Sequence, residues 1–244
     1  MEISLAAETV FHLGPIPVTN SMLMSLFAAL LLILLVYLLQ KLPKTSLFYN
    51  FFEMVIEWFY NLAIQILGEE KKVKKIFPIA ATLFLFIITN NWLGLLPGVG
   101  TIGFWHQRGE EKLLVPLLRS GNADLNSTLG LAISAIFIIH YFAAKEAGVF
   151  NHLKKFFNLK GIFSFVGILE LFSELSKILS FSFRLFGNIF AGEVLLMVVS
   201  FLIPFFAPLP FLGLEIFVGF IQALVFTTLT LVFYGMATSH QEEN

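Results

Sequence analysis

Long apolar stretches are the feature of this sequence that most restricts its fold. A helix needs about 20 apolar residues to cross a bilayer, and five runs approach or exceed that length, at 22–39, 76–97, 127–144, 161–203 and 211–238. The chain is 58% hydrophobic and only 13% charged, whereas a soluble domain is about 25% charged. We therefore predict an all-α integral membrane protein, a single membrane domain over 1–244 with five spanning helices.

Residues 47–67 predict a helix of a different kind. Its polar residues recur every three or four positions and so form one stripe: Asn50, Glu53, Glu57, Asn61 and Gln65. Lysines flank the segment at both ends, and a spanning helix would place one of these clusters outside. We expect an amphipathic helix lying at the membrane interface. Because its stripe is acidic, docking against another subunit is possible.

Basic residues are divided unevenly between the two sides of the predicted spans. Ten fall on one side: Lys41, Lys44, Lys71, Lys72, Lys74, Lys75, Lys145, Lys154, Lys155 and Lys160. Only Arg108, Lys112 and Arg119 fall on the other. Since basic loops stay in the cytoplasm, we predict an external N-terminus (1–20), an external loop (98–125), a cytoplasmic loop (145–160) and a cytoplasmic tail (239–244). No basic residue precedes 22–39, which favours a retained helix over a cleavable signal peptide.

The last two apolar runs are too long for upright helices. From Val166 to Phe201 the chain has no proline, so a continuous helix there would be about 54 Å long. The hydrocarbon core of a bilayer is only about 30 Å thick. Prolines at 204–210 indicate a turn. We therefore predict that 161–203 and 211–238 form a long, strongly tilted antiparallel hairpin.

The 161–203 run carries polar residues that share one face at about 100° per residue: Glu170, Glu174, Lys177, Arg184 and Asn188. Beside them lie small residues, which let another helix approach closely in a membrane: Ser173, Ser176, Ser180, Gly187 and Ala191. Glu193 falls on the opposite face. Glu215 and Gln222 share a face of the last run, because seven residues make about two helical turns.

Arg184 is the polar residue that most needs an explanation. No carboxylate lies three or four residues from it, and a charge at mid-membrane costs about 2.5 kcal/mol or more. Arginine stays protonated at working pH, so it serves as a fixed charge and not as a proton carrier. Its expected partner is a carboxylate of another chain. For Glu174 and Lys177 a purely structural ion pair is an equal alternative, and Asn188 could simply hydrogen-bond a neighbouring helix.

A family resemblance begins at this arginine, in the segment RLFGNIFAGE (184–193). The segment resembles the signature of subunit a of the F-type rotary ATP synthase, the stator half of its membrane proton path. NNWLGLLPG (90–98) is similar to the family's segment closing the second span, and ADLNSTL (123–129) to the start of the next. Glu170 and Gln222 also match family positions. The resemblance covers most of the chain.

The resemblance implies that the last two helices lie obliquely around a ring of c subunits, each with a membrane-embedded carboxylate. Two offset aqueous half-channels would lead to the ring. Arg184 would be the essential fixed charge facing it, favouring proton release and preventing a short circuit. The other implied path residues are Asn188 and Gln222 beside the arginine, Glu193 and Glu215 in the external half-channel, Glu170 and Glu174 at the cytoplasmic exit, and Asn91, Asp124 and Asn126 at the outer entrance.

Two positions depart from the family pattern. The family often pairs an acid with a histidine where this chain has Glu193 and Glu215, so the two carboxyls could share a proton. Gly94 replaces an acid seen in some relatives. Further implied partners are peripheral-stalk b subunits, the rest of the ATP synthase and the lipid of an energy-coupling membrane, such as a bacterial plasma membrane.

Several other functions are disfavoured by the sequence. It has no cysteine, no histidine pair with metal-ligand spacing and no phosphate-binding glycine loop. We expect a subunit that is not catalytic on its own and has no cofactor, metal or nucleic acid. An alternative is a secondary transporter that binds an anionic substrate at Arg184, although such folds usually contain inverted repeats and broken helices. A non-transporting scaffold would leave the polar face unexplained.

Overall fold

Helix makes up most of the chain in the computed structural model, which describes residues 7–96, 99, 103–108, 111–149, 162–204 and 206–239. Its helices are α1 (Asn20–Lys41), α2 (Leu47–Leu67), α3 (Glu70–Gly94), α4 (Leu125–Ala147), α5 (Ile162–Leu202) and α6 (Pro208–Ser239). Two antiparallel hairpins pair β1 (Thr9–Leu13) with β2 (Ile16–Thr19) and β3 (Gly103–Arg108) with β4 (Glu111–Pro116). A 3₁₀ turn at Gly121–Ala123 precedes α4.

The spanning helices agree with the apolar runs. Among the described residues, five helices, all except α2, are long and apolar enough to cross a membrane. The protein is therefore an all-α integral membrane protein, which confirms the predicted fold class. The short hairpins, which the sequence patterns do not predict, lie before α1 and between α3 and α4.

Parts of the predicted topology lie outside the described residues. These are residues 1–6 of the predicted N-terminal segment, parts of the predicted 98–125 loop, residues 150–160 of the predicted cytoplasmic loop, residue 161 at the start of the fourth predicted span, and residues 240–244 of the predicted tail. The side to which each loop and terminus belongs stays a prediction.

α3 begins earlier than the apolar run alone would place it. The run starts at residue 76, whereas the helix starts at Glu70. Nζ of Lys74 lies 2.7 Å from a carboxylate oxygen of Glu70, and Nζ of Lys72 lies 2.8 Å from one of Glu69. Ion pairs three or four residues apart support a helix, so the charged segment extends α3 toward its N-terminus.

α2 packs its apolar side onto the bundle. Phe59 and Ala63 are buried, and the ring of Phe59 stacks on that of Phe84 in α3 with 5.1 Å between centroids. All residues of the predicted polar stripe are exposed: Asn50, Glu53, Glu57, Asn61 and Gln65. This arrangement is typical of a helix with one side in water, although its location at the membrane interface stays a prediction.

α5 and α6 form a long antiparallel hairpin. α5 has 41 residues and is about 60 Å long, while α6 has 32 residues and is about 48 Å long. Lys177 contacts Phe233, whereas farther along α5 the side chain of Asn188 meets Gln222. As the residue number rises along α5, the number of the contacting residue on α6 decreases. The two helices are therefore antiparallel.

The turn between them is shorter than the prolines predict. α6 begins at Pro208, within the expected 204–210 turn. Proline is accepted in the first turn of a helix, because an N–H there has no partner within the helix. Both helices exceed the thickness of a bilayer core, about 30 Å, which favours the predicted tilt.

The core lies between α3, α4, α5 and α6, with α1 and α2 on the α3 side. Its largest fully buried apolar side chains are Tyr234, Phe59, Phe226, Met24, Ile76, Ile87, Leu185, Leu231 and Val73. Phe181 of α5 contacts the rings of Phe226 and Phe233 of α6, at 4.7 Å and 5.5 Å between centroids. These contacts fix the rotation of α5, so that one side of it packs into the bundle and the other stays uncovered.

Candidate functional site

Arg184 lies on the uncovered face of α5. Its neighbours Leu185 and Phe181 are buried, while the arginine and Phe183 are exposed. Within the described residues, no carboxylate lies within ion-pair distance of the guanidinium. The bundle therefore presents a positive charge that has no carboxylate partner in the part of the chain that the structure describes.

An amide pair follows the arginine by one helical turn. Nδ2 of Asn188 donates to Oε1 of Gln222 at 2.6 Å. The glutamine is only 4% exposed, and its Nε2 is buried with no hydrogen-bond partner among the described residues. Buried polar atoms are nearly always paired. The pair thus offers an unused N–H donor close along the hairpin to Arg184.

The small residues beside the arginine are accessible. Ser173, Ser176, Ser180 and Ala191 are exposed, and Gly187 is half-buried. A Cβ on Gly187 would meet no atom within 4 Å, so nothing in the described chain fills the space above it. The structure leaves open the surface at which the sequence predicts close approach by another helix.

Glu193 is held by an arginine from the loop between α3 and α4. Nε and Nη2 of Arg119 donate to Oε2 of Glu193 at 3.2 Å and 3.1 Å. The guanidinium also lies over the ring of Phe190, 5.8 Å from its centroid. Sequence reasoning counted Arg119 only as an external charge. Hydropathy and periodicity gave no signal for its contact with Glu193, because the two residues are 74 positions apart.

Glu215 lies in a different environment from Glu193. It is 6% exposed, and no described residue hydrogen-bonds its carboxylate. The carboxylate rests directly on Gly192 of α5, where any side chain would collide with it. The two glutamates are therefore brought to neighbouring positions of α5, but only Glu193 has an arginine partner.

Buried amides connect this region with α3. Nδ2 of Asn122 donates to Oδ1 of Asn91 at 2.7 Å, and Nδ2 of Asn91 donates to the carbonyl oxygen of Gly219 at 2.9 Å. Gly219 lies four residues after Glu215 and three before Gln222, on one face of α6. A polar line about 10 Å long thus follows α6 from Glu215 past Asn91 to Gln222.

Asp124 and Asn126 are placed differently. Asp124 is buried and caps α4, with Oδ1 accepting from the backbone N–H of Asn126 at 3.2 Å. Oδ2 accepts from the hydroxyl of Ser21 at 2.9 Å, which ties α1 to α4. The side chain of Asn126 is exposed. Asp124 thus has a clear structural function. Its role at a channel entrance stays a prediction.

A second polar cluster lies toward the start of α5. Oε1 of Glu174 accepts from Nζ of Lys177 at 2.7 Å, and Oε2 lies 3.2 Å from Nε2 of His140. The ammonium also sits over the ring of Phe233, at 4.8 Å. Glu170, one turn earlier, is half-buried. The ion pair considered from the sequence forms, and His140 is the partner that helical spacing could not reveal.

A third cluster lies where α3, α4 and α6 meet. Oε1 of Glu146 accepts from Nζ of Lys75 at 2.7 Å and from the hydroxyl of Tyr234 at 3.3 Å. These bonds join the end of α4 to the start of α3 and the end of α6. Together the clusters leave polar groups near both ends of the hairpin, with Arg184 between them.

Comparison with known proteins supplies the family. The family model described as ATP synthase A chain matches residues 22–235. The chain is 30% identical to the ATP synthase subunit a of Moorella thermoacetica, over 92% of this chain and 93% of that protein. It is 32% identical to that of Gloeobacter violaceus, over 99% of this chain and 93% of that protein. It is 31% identical to that of Campylobacter jejuni subsp. doylei, over 93% of this chain and 88% of that protein.

Proposed function

Because the chain belongs to the ATP synthase A chain family, we propose that it forms the stator side of the proton path, with Arg184 facing a ring of c subunits. Membership makes the protein a proton-translocating membrane subunit of a rotary ATP synthase, as the resemblance predicted. The observation that supports the arginine's role is its exposure on α5 with no carboxylate partner among the described residues.

The partner of Arg184 is a carboxylate that each c subunit brings in turn. At 4 Å, and at an effective dielectric constant of about 20, opposite unit charges attract by about 4 kcal/mol. The ionised carboxylate is therefore favoured beside Arg184, where it releases its proton. Away from the arginine and facing lipid, the neutral acid is favoured because an ionised group is costly there. This difference couples proton transfer to rotation without covalent chemistry.

Gln222 assists at the same place. Its buried Nε2 has no partner among the described residues, and Asn188 fixes its other amide atom. An arriving carboxylate, or a water molecule beside it, would satisfy that donor. Arg184 and Gln222 then hold the ring carboxylate in one position while its proton leaves.

Two half-channels reach the ring from opposite ends of the hairpin. The outer one uses Glu193 and Glu215, with Asn91, Asp124 and Asn126 toward its mouth. The inner one uses Glu170 and Glu174. Arg184 lies between them, and its fixed charge prevents protons from passing directly from one to the other. The amino end is external and the carboxyl end cytoplasmic, in a bacterial plasma membrane.

The partners are the c-ring, the b subunits of the peripheral stalk and the catalytic head. Co-purification with all three tests this assembly. The subunit itself performs no catalysis. α5 is continuous from Ile162 to Leu202, which argues against a transporter with a broken helix at the arginine. The decisive test of the mechanism is proton pumping by an Arg184→Ala variant.

Cross-linking can test which face of α5 meets the ring. The chain has no native cysteine, so Ser180→Cys introduces a single thiol on the exposed face. With a cysteine series along the outer helix of the c subunit, we expect oxidation to give a disulfide-linked dimer. Ser182→Cys is the matched control, because Ser182 is fully buried and its hydroxyl contacts Thr128. Equal cross-linking at both positions would refute the proposed face.

A further inference from the structure

The outer-loop segment that carries Arg119 is firmly attached to the bundle. The hydroxyl of Ser120 donates to the carbonyl oxygen of Asn90 at 3.2 Å, and Asn122 donates to Asn91 at 2.7 Å. A Cβ on Gly94 would lie only 2.6 Å from that of Ser120. The loop can come this close to α3 because Gly94 has no side chain. The backbone next to Arg119 is therefore held in place against α3.

The arginine in the contact between Arg119 and Glu193 is shielded from water, whereas the side chain of Glu193 is 35% exposed. Arg119 is 8% exposed, and its Nε and Nη2 both donate to the same oxygen of the glutamate, Oε2. Bonds from a guanidinium to a carboxylate are about twice as strong as neutral ones. Because arginine keeps its proton, the counter-charge is permanent, and it fixes one carboxylate oxygen of Glu193 in place.

Glu215 has none of these restraints. It has no hydrogen-bond partner among the described residues, and it lies over Gly192, the residue before Glu193. It also stands at one end of the polar line that leads along α6 to Gln222. One carboxyl of the pair is thus held by a counter-charge, whereas no ion pair or hydrogen bond among the described residues holds the other.

We propose that Arg119 is a positioning residue of the outer half-channel, holding Glu193 as a fixed anion so that Glu215 alone carries the proton toward the ring. The inference rests on the proposed function. Glu215 accepts a proton from external water and becomes neutral. It then gives that proton to an ionised carboxylate of the ring and returns to its anionic form, while Glu193 keeps its charge throughout.

Paired substitutions separate the two carboxyls. Arg119→Gln leaves Glu193 without its counter-charge, and we expect it to slow ATP-driven proton pumping in inverted vesicles about tenfold or more, as misplaced groups commonly do. The double variant Arg119→Gln with Glu193→Gln removes both charges. If Glu215 carries the proton, this variant recovers to within about threefold of the wild-type rate, because the two losses are coupled. Arg119→Lys, which keeps the charge, should retain more pumping than Arg119→Gln.

Glu215→Gln completes the series. We expect it to abolish pumping in the wild-type background and in the double variant alike. Lys74→Gln is the control for losing a basic residue, because its ion pair with Glu70 is well exposed, at 66% and 63%. Blots of the membranes measure how much complex assembles, and every rate is divided by that amount.

Several outcomes would overturn the inference. They are normal pumping by Arg119→Gln, an assembled double variant that is not rescued, and residual pumping by Glu215→Gln. Loss of assembly in both Arg119 variants and the double variant would also overturn it, because Arg119 would then serve folding. Arg184→Ala is measured in parallel. Normal pumping by that variant refutes the proposed function, whereas a contrary result confined to the Arg119 series refutes only this inference.

Discussion

We expect Arg184→Ala to abolish ATP-driven proton pumping in inverted membrane vesicles. The substitution removes the positive charge that, in the proposed mechanism, the uncovered face of α5 offers to the ring carboxylate. Without it the carboxylate stays protonated as it passes, so no proton leaves and rotation is not coupled to transport. Removing one preorganised electrostatic group typically costs about 10²- to 10³-fold in rate, and we expect a loss of at least that size.

The same variant should also leak. In the proposed path Arg184 separates the two half-channels, so we expect its removal to let protons pass between them through the ring carboxylate without a full turn. We expect vesicles stripped of the catalytic head to lose an imposed proton gradient faster with Arg184→Ala than with the wild type. Each charge crossing 100 mV dissipates about 2.3 kcal/mol. Faster decay that is blocked by a reagent for the ring carboxylate would assign the leak to this path.

Folding is not expected to confound the result. Arg184 is exposed and has no ion-pair partner among the described residues, so alanine there leaves no buried group unpaired. Lys74→Ala is the matched control, since it also removes a basic side chain from an exposed site. Normal pumping by an assembled Arg184→Ala complex would contradict the mechanism. Arg184→Lys should be severely impaired as well, because lysine lacks the planar fork of arginine.

The face that carries Arg184 follows from the sequence because it depends only on helical periodicity. At about 100° per residue, the polar residues and the small residues of α5 fall on adjacent strips, and the structure leaves Arg184, Ser180 and Ala191 exposed. The apolar runs likewise identify the spanning helices. Their ends are less predictable, because ion pairs extend α3 to Glu70 and a tolerated proline starts α6 at Pro208.

Contacts between distant parts of the chain could not be predicted from hydropathy and helical periodicity. Arg119 and Glu193 are 74 residues apart, and their pairing depends on a loop that is seated by Gly94 and Ser120. Hydropathy and periodicity describe a helix in isolation and contain no information about how a loop packs against it. The pairing of His140 with Glu174 is similar, since it requires the relative rotation of α4 and α5. Sequence alone therefore grouped Glu193 with Glu215, and the structure distinguishes them.

Gly192→Ala is the second substitution for which we expect a large effect. Gly192 is buried, and a Cβ there would collide with the carboxylate of Glu215. The carboxylate is the end of a flexible side chain, so it can turn aside at little cost in stability. We expect normal assembly, but pumping slowed about ten- to a hundredfold, because a displacement of about 1 Å can remove that much rate.

Gly130→Ala is the matched control for this substitution. It adds the same methyl group to a glycine of another spanning helix, α4, where a Cβ would meet no atom within 4 Å. Its pumping should equal that of the wild type. Gly192→Ala combined with Glu215→Asp tests the cause, because the shorter acid withdraws its carboxylate from the new methyl group. Recovery in the double variant assigns the defect to the position of Glu215, whereas a Gly192→Ala complex that assembles and pumps normally would show that this position does not limit proton entry.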